Sequence, residues 1–403
     1  MATPLPPGVK HIDTPRGGLP ELTTRETLPN AIKELSQTSG PFAIDTERAM
    51  GIRYSNRAYL IQIKRGNGKI YLVDPIETED LMPALAEVLS SDQWILHAAD
   101  QDLPSLAQLG LTPLTLFDTE MAALLLGEKH ISLQAQLMKH VGVHLAKEHS
   151  NSDWSKRPLN AELRAYAALD VEFMVELRDA LIDRLDTMGR LEWCHQECEE
   201  IRTQKPKPPK KDPWRRFARG ANITNRRKLG ILRELWEERD AIARDKDISP
   251  GKVLNSQALA LLAAHPGRSL SDVKRSPVLR REKLRYLTPY FWEAIRRGWN
   301  LTEENLPPLH LESEEKYPVN MSEWSKKNDA AALRWEKLRP LFLELAEELG
   351  IRQEVLMKPA RQRALAWKGW DRHGVAHALE KLGARPWQIE LTAPYIEEAF
   401  RPS

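Results

Sequence analysis

The sequence predicts an α/β domain at the amino terminus that is followed by two all-α helical domains. β-rich runs occur in the first 204 residues, whereas residues 214–403 have almost entirely helical periodicity. A stretch with four prolines among nine residues separates the two regions, at 205–213. The length of 403 residues suits two to three domains at about 150 residues each.

Five β-rich runs and several helical patterns make up the first domain. The predicted strands are 42–46, 59–64, 70–73, 94–97 and 114–117. The first three are separated by turn-length gaps, which favours an antiparallel meander. From Asp80 onward helical patterns alternate with strands, and two of them are 80–90 and 102–109. A long amphipathic pattern covers 160–200, and Asn160 is its predicted N-cap.

Two interruptions divide the rest of the chain. The prolines of 205–213 cannot continue a helix and favour an extended spacer. A weaker interruption at about 302–324 contains a Pro-Pro pair and the acidic residues 312–315. We therefore expect an α/β domain in 1–204, a linker in 205–213, a helical domain in 214–302, a linker in 303–324 and a second helical domain in 325–403.

The two helical domains share a faint sequence repeat. Leu232-Arg-Glu-Leu-Trp is echoed by Leu338-Arg-Pro-Leu-Phe, and an Ile and a Val-Leu pair follow at similar distances in both. This similarity predicts two copies of one small helical module.

Several protein classes are excluded by composition. The longest apolar run, 258–264, is far shorter than the about 20 residues of a membrane-spanning helix. The first seven residues have neither a basic nor an apolar signal region, so we expect no export. Cys194 and Cys198 do not form a metal-binding framework and are expected to be reduced. These features predict a cytoplasmic protein, and a monomer is the favoured state.

The net charge of +2 conceals a strong asymmetry. Residues 1–204 contain 20 Lys and Arg against 30 Asp and Glu, a net charge of −10. Residues 205–300 contain 24 against 10, a net charge of +14, and residues 301–403 are close to neutral. The basic residues cluster at 215–216, 226–228, 274–275 and 280–281. An acidic domain beside a basic one predicts a site for cations and a separate surface for a polyanion.

Asp-x-Glu occurs at three places, and their contexts differ. Asp45 and Glu47 follow an apolar run and face the same side of a predicted strand, where two carboxylates need a compensating cation. Asp118 begins a helix and is better explained as its cap. Asp170 and Glu172 lie on a helix, where this spacing splays the side chains about 200° apart, so that they cannot chelate one ion together.

Two further patterns place acids beside predicted structural junctions. Asp100 and Asp102 follow the strand at 94–97, where either can favour the positive end of the next helix. Tyr166 and Asp170 are four residues apart and therefore share one face of a helix. Taken singly, each pattern is better explained by ordinary structure, but their joint occurrence within 204 residues favours a common site.

In this combination the sequence resembles the ribonuclease D family, in the tyrosine-bearing branch of the DEDD exonuclease superfamily. The matching stretches are 42–47, 96–103, 152–159 and 166–171. The run Asp-Trp-Ser-x-Arg-Pro-Leu at 153–159 contains no obvious metal ligand and is especially characteristic of that family. The resemblance covers about residues 20–200, and the remainder resembles one clear HRDC domain and a diverged second one.

The resemblance implies a ribonuclease H-like 3′–5′ exonuclease domain with two HRDC-like bundles, and it also implies the site residues. The family's four metal-binding acids fall on Asp45, Glu47, Asp102 and Asp170, and its catalytic-site tyrosine falls on Tyr166. Asp102 is preferred to Asp100 because the family pattern is His-Ala-x-x-x-Asp-Leu. Four carboxylates balance two divalent cations, for which Mg²⁺ or Mn²⁺ suits the all-oxygen ligands.

The implied activity is that of a metal-dependent 3′–5′ exoribonuclease that releases 5′-nucleoside monophosphates, with tRNA 3′ ends as the family's usual substrate. The basic segment 205–300 would supply the affinity for RNA. Two alternatives are a non-catalytic RNA-binding scaffold and a DNA exonuclease of the proofreading type. A helicase is excluded because the chain has no Gly-x-x-x-x-Gly-Lys-Ser/Thr phosphate loop.

Overall fold

The structure of the protein is a computed structural model. The structure describes residues 5–146, 152–205, 208, 210–279, 282–310, 317–318 and 320–401. The predicted basic pair 280–281, the acidic run 312–315 and three residues of the linker at 205–213 lie outside this range. The chain forms two compact units, of which the first comprises 1–47, 58–205 and 313–403 and the second 48–57 and 206–312.

The first unit is built on a mixed β-sheet. The strands of the described residues are β1 (Lys10–Ile12), β2 (Leu22–Thr23), β3 (Phe42–Arg48), β4 (Ala58–Arg65), β5 (Ile70–Val73), β6 (Trp94–Leu96), β7 (Leu116–Asp118) and β8 (Val143–Leu145). Six of them form one sheet in the order β2-β5-β4-β3-β6-β7, and β1 pairs with β8. Strand β4 is antiparallel to β5, whereas β3, β6 and β7 are parallel. The five predicted strands are confirmed to within a few residues, and β1, β2 and β8 were not predicted.

Strand β3 is central because its apolar half is fully enclosed. Phe42, Ala43 and Ile44 are at most 1% exposed, and β3 lies between β4, in which all eight residues are buried, and β6. Burial of these three side chains fixes the register of the strand. The two residues Asp45 and Glu47 are thereby held on one face of the strand where its apolar run ends.

The described residues of the amino-terminal region also form eight α-helices, which lie among or after these strands. They are α1 (Leu28–Gln37), α2 (Met82–Leu89), α3 (Leu103–Ala107), α4 (Thr119–Leu125), α5 (Leu133–His140), α6 (Ala161–Glu172), α7 (Met174–Thr187) and α8 (Leu191–Thr203). The amphipathic pattern at 160–200 thus corresponds to three helices. Helix α6 ends at Glu172 with Phe173 as its C-cap, and α7 ends before Gly189, whose φ of 66° favours glycine. The Asn160 side chain accepts a hydrogen bond from the Leu163 amide, so the predicted N-cap is confirmed.

The carboxyl-terminal helices also belong to the first unit. They are α15 (Trp324–Lys327), α16 (Asp329–Glu348), α17 (Gln353–Leu356), α18 (Pro359–Lys368), α19 (Gly374–Lys381) and α20 (Pro386–Ala399). Glu197 of α8 accepts hydrogen bonds from the Arg385 guanidinium at 2.6 Å and from the Trp387 indole at 2.9 Å. Arg190 donates to the carbonyl oxygens of Leu125 and Leu349. Polar groups buried between these helices and the sheet domain are therefore paired across the junction.

The described part of the second unit consists mainly of helices. It contains α9 (Arg215–Ala218), α10 (Arg226–Asp245), α11 (Pro250–Val253), α12 (Ser256–Ala264), α13 (Leu270–Arg275) and α14 (Thr288–Asn300). Helices α10 and α14 approach closely at Gly298, where an added Cβ would lie 2.7 Å from the Ile231 Cα atom. The segment 48–57 belongs to this unit, because the Tyr54 hydroxyl donates to Asp240 and the Ser249 amide donates to the Ile52 carbonyl.

The described helices include none with the length and apolar character needed to cross a membrane.

Candidate active site

The site begins with two carboxylates on strand β3. Asp45 and Glu47 are separated by one residue, and they therefore project from the same face of the sheet. Both are half-buried, whereas Thr46 between them is 5% exposed. The Gln62 amide of the neighbouring strand β4 donates a hydrogen bond to Asp45 Oδ2 over 3.3 Å. The strand therefore presents two carboxylates at the edge of the buried core.

Helix α6 adds a third carboxylate. Asp170 contributes an oxygen that forms a group with oxygens of Asp45 and Glu47, all within 4.8 Å of one another. Asp170 lies far from the other two in sequence, and only the packing of α6 against the sheet brings it there. Glu172 points elsewhere, because it is 3% exposed and binds the Lys64 ammonium at 2.9 Å. The prediction that Asp170 and Glu172 splay apart is therefore confirmed.

Asp102 lies next to this group. It directly precedes α3 and is 4% exposed, and its Oδ1 accepts a hydrogen bond from the Thr46 hydroxyl at 2.6 Å. Its negative charge acts on Asp45 more strongly than those of Asp170 and Glu47. Asp100, the alternative in the sequence, is solvent-exposed. The structure therefore places Asp102 beside Asp45, although outside the group of three with oxygens within 4.8 Å.

The neighbouring acids raise the free-energy cost of ionising Asp45. The pKa of Asp45 lies well above its usual value, first because the carboxyl is buried and then because Asp102, Asp170 and Glu47 are negatively charged. A bound cation would reverse both effects by neutralising the surrounding charge. The cluster is therefore an unbalanced negative site of hard oxygen donors, which fits a divalent ion such as Mg²⁺ or Mn²⁺.

Tyr166 lies one helical turn before Asp170. It is half-buried and hydrogen-bonded to Asp170. Burial raises its pKa far above the ordinary value, and the charges of Asp170, Glu47 and Asp45 raise it further. The phenol therefore keeps its proton at neutral pH and can act as a hydrogen-bond donor at the edge of the acidic cluster.

Asp118 acts as the predicted cap and also does more. Its side chain accepts hydrogen bonds from the Glu120 and Met121 amides and caps α4, which confirms the capping prediction. Its carboxylate also accepts hydrogen bonds from the backbone amides of Ala98 and Ala99. Ala98 has a left-handed backbone conformation, with a φ of 58°. Asp118 therefore fixes the turn between β6 and Asp102, and it belongs to the support of the site.

Several supporting residues were missed from the sequence alone. Thr46, Gln62 and Lys64 lie within strands, and the only available signal is a polar residue inside a predicted strand. Such residues are expected to have hydrogen-bond partners, but the sequence does not show which partners. The structure supplies them as Asp102, Asp45 and Glu172, respectively.

Comparisons with known proteins agree with this geometry. Residues 20–186 match the family described as 3′-5′ exonuclease, residues 228–295 the HRDC domain, and residues 318–400 the family described as 3′ to 5′ exonuclease C-terminal domain. The first match contains all four acids and Tyr166. The α/β exonuclease domain and a helical HRDC domain, as predicted, are thus confirmed, whereas the carboxyl-terminal helices match a differently named family.

Related proteins and structures extend the comparison. The chain is 31% identical over 264 residues to a ribonuclease D of Gluconacetobacter diazotrophicus, which covers 62% of this chain and 65% of that relative. The alignment thus spans less than two thirds of the relative's length. A Bifidobacterium adolescentis protein of known structure is 29% identical, with a TM-score of 0.86 and coverage of 97% of this chain and 99% of that one. Escherichia coli ribonuclease D is 22% identical with a TM-score of 0.67, covering 94% and 97%, which shows a shared fold.

An acidic cluster on a 3′–5′ exonuclease domain, followed by an HRDC domain, defines a protein of the exonuclease class. The curated relatives indicate a narrower group within this class, because they are named ribonuclease D. The chain is therefore similar to proteins of the ribonuclease D family, in agreement with the resemblance of the sequence motifs.

Proposed function

We propose that this protein is a metal-dependent 3′–5′ exoribonuclease that releases 5′-nucleoside monophosphates one at a time from RNA 3′ ends. The observation that carries the proposal is the group of carboxylate oxygens of Asp45, Glu47 and Asp170, which lie within 4.8 Å of one another on an exonuclease domain. The enclosed position of Asp102 beside Asp45 adds a fourth negative charge. No other cluster of at least three possible ligands occurs in the described residues.

Each of the five residues has a proposed role. Asp45, Glu47, Asp102 and Asp170 would hold two divalent cations, Mg²⁺ or Mn²⁺. When bound, these ions would lower the pKa of an attacking water and neutralise the departing 3′ oxygen. Tyr166 would donate a hydrogen bond to the water or to the scissile phosphate, because its raised pKa keeps the phenol protonated. Thr46 orients Asp102 through the bond to Oδ1.

RNA is the proposed substrate, and tRNA precursors are the proposed natural form. The curated relatives named ribonuclease D support RNA as the substrate. The net charge of −10 on residues 1–204 repels RNA, whereas the +14 on residues 205–300 attracts it. The buried, unbridged Cys194 and Cys198 are compatible with the reducing cytoplasm as the site of action. We propose that the protein acts as a monomer.

We also propose that the carboxyl-terminal bundle is a second, diverged HRDC-like module. Helices α10 and α16 each have 20 residues, and each is followed by a four-residue helix, α11 or α17. Helices of nine and 10 residues follow, and the modules end with helices of 13 and 14 residues. This parallel supports the proposed division into 1–204, 205–213, 214–302, 303–324 and 325–403.

The proposal is tested by product analysis on a 5′-labelled tRNA precursor. We expect single-nucleotide shortening with Mg²⁺ or Mn²⁺, release of 5′-nucleoside monophosphates, and no shortening with EDTA. Asp45→Asn should abolish turnover while RNA binding in Ca²⁺ persists, because the amide leaves the basic segment unchanged. Turnover by that variant equal to that of the wild type would disprove the metal role of Asp45.

The same assay distinguishes the alternatives that the sequence leaves open. A non-catalytic scaffold would bind the RNA without shortening it in either metal. A DNA exonuclease would degrade single-stranded DNA faster than RNA of equal length. We expect RNA to be the faster substrate.

A further inference from the structure

We propose that residues 153–158, here named the loop brace, position Tyr166 for the reaction, with Trp154 as the contacting residue. This inference rests on the proposed nuclease function. The brace lies within the sequence motif that contains no metal ligand, and neither the acidic cluster nor the RNA-binding charge accounts for it. Its contacts connect the central strands of the sheet to the beginning of helix α6.

Arg157 attaches the brace to the sheet. Its guanidinium donates to the carboxylate of Asp74, which is 1% exposed after β5, and to the Tyr59 carbonyl of β4 at 2.6 Å. The same group donates to the carbonyl of Trp154 at 2.9 Å. One planar cation therefore fixes two strands and the brace at once, which the single ammonium of a lysine cannot reproduce.

Asp153 shapes the brace itself. Its carboxylate accepts hydrogen bonds from the Ser155 amide at 3.2 Å and from the Ser155 hydroxyl at 2.5 Å. This local turn follows the pattern in which an aspartate binds the backbone two residues later. Together with Arg157, it fixes the backbone on both sides of Trp154.

Trp154 connects the brace to Tyr166 through a contact between their aromatic rings. The indole is 0% exposed, and its ring lies 6.1 Å from the Tyr166 ring with an angle of 39° between the planes. Two aromatic rings at this centroid distance attract each other, so the buried indole favours one placement of the half-buried phenol ring. Tyr166 in turn is hydrogen-bonded to Asp170. The Trp154 indole therefore packs against the phenol ring and keeps it oriented toward the acidic cluster.

The opposite end of α6 is fixed independently. The Lys64 ammonium donates two hydrogen bonds to Glu172, one to its carboxylate at 2.9 Å and one to its backbone carbonyl at 2.5 Å. The Asn160 cap and the brace lie at the beginning of the helix. Loss of the Trp154 ring should therefore alter the orientation of Tyr166 without detaching the helix, which makes Trp154 a positioning residue separate from the general core.

The first test compares Trp154→Phe with Trp324→Phe, a matched control because both indoles are 0% exposed and Trp324 lies in α15. We expect Trp154→Phe to lower kcat about 10- to 100-fold, as displacement of a reacting group does. The Kd for RNA in Ca²⁺ should stay within about twofold, because the RNA-binding charges are unchanged. The control should keep the wild-type kcat. Equal kcat values for the wild type and Trp154→Phe would overturn the proposal.

A double-mutant cycle separates positioning from general destabilisation. If Trp154 acts through the Tyr166 hydroxyl, Trp154→Phe should have almost no further effect on kcat in a Tyr166→Phe background. Multiplicative losses would show that the two residues act independently and would overturn the proposal. Wild-type protein without nuclease activity would instead refute the proposed function.

Hydrogen–deuterium exchange tests the role of the brace without a measurement of nuclease activity. Hydrogen–deuterium exchange of 161–170 should be faster in Arg157→Lys than in the wild type, with exchange in α20 unchanged. Unchanged exchange in 161–170 would overturn the role of the brace, even if Trp154→Phe failed to fold or the protein degraded no RNA.

Discussion

Asp100 and Asp102 are a natural pair for separating a site carboxylate from a neighbouring surface charge. Both follow β6, but Asp102 is 4% exposed beside Asp45, whereas Asp100 faces solvent. The short bond from the Thr46 hydroxyl leaves Asp102 one fixed orientation. The two residues have the same charge and differ in their surroundings, since Asp102 is buried beside Asp45 and Asp100 is exposed.

Substitution of these two residues should have opposite outcomes. We expect Asp102→Asn to lower kcat at least about 100-fold, because one of the four proposed ligand charges is lost. Asp100→Asn should leave kcat within about twofold of the wild-type value. Single-turnover degradation of a labelled RNA in saturating Mn²⁺ measures both, and equal losses would contradict the assignment of Asp102.

Among the structural elements, the turn between β6 and α3 depends on a residue of another strand. Asp118 at the end of β7 is 3% exposed. Its carboxylate accepts hydrogen bonds from four backbone amides, two in α4 and two in the turn. Burial raises its pKa, and the four hydrogen bonds partly oppose this effect. A single side chain therefore joins the capping of one helix to the placement of Asp102.

Removal of this carboxylate should affect stability and catalysis together. We expect Asp118→Ala to reduce the free energy of unfolding by about 2–4 kcal/mol, because buried amides lose a charged acceptor. The kcat should also fall, since the turn that holds Asp102 is released. Urea unfolding and RNA degradation measure the two effects. Asp118→Asn, which keeps one carbonyl oxygen, should be less destabilising, and equal destabilisation by both variants would contradict this explanation.

At the scale of the whole molecule, the carboxyl-terminal helices and the sheet domain form one unit. Glu197 and Arg385 are 4% and 7% exposed, and their ion pair of 2.6 Å also receives the Trp387 indole N–H. Removing one partner of a buried pair leaves the other charge without compensation in a region of low polarity.

This pair should show strong coupling. We expect Arg385→Met alone to cost about 3–5 kcal/mol of unfolding free energy, and the double variant Glu197→Met and Arg385→Met to cost clearly less. Urea or thermal unfolding measures both variants. Additive losses would indicate that the two side chains stabilise the protein separately.

The basic residues of the second unit fall into two groups. Arg226 and Arg227 donate to backbone carbonyls at the end of the unit, including those of Leu306 and Trp299. Arg216, Arg219 and Lys274 are solvent-exposed. The exposed residues are therefore the better candidates for contacts with RNA phosphates.

We expect the combined Ala variant of Arg216, Arg219 and Lys274 to bind RNA more weakly. The slope of log affinity against log salt should become about 2 less negative, at about 0.7 per lost contact. Arg226→Ala should leave the slope unchanged and lower the stability instead. Binding titrations in Ca²⁺ at several salt concentrations measure this difference, and an unchanged slope in the triple variant would exclude these residues from the interface.

The sequence by itself determined the five main strands, the Asn160 and Asp118 caps, the charge asymmetry and the resemblance to the ribonuclease D family, since these depend on local patterns and recognisable motifs. Only the tertiary structure decided which polar residues pair within the core. Lys64 binding to Glu172, Thr46 to Asp102 and Arg157 to Asp74 join positions from 56 to 108 residues apart. Such contacts depend on how the helices pack on the sheet, and no local periodicity encodes that packing.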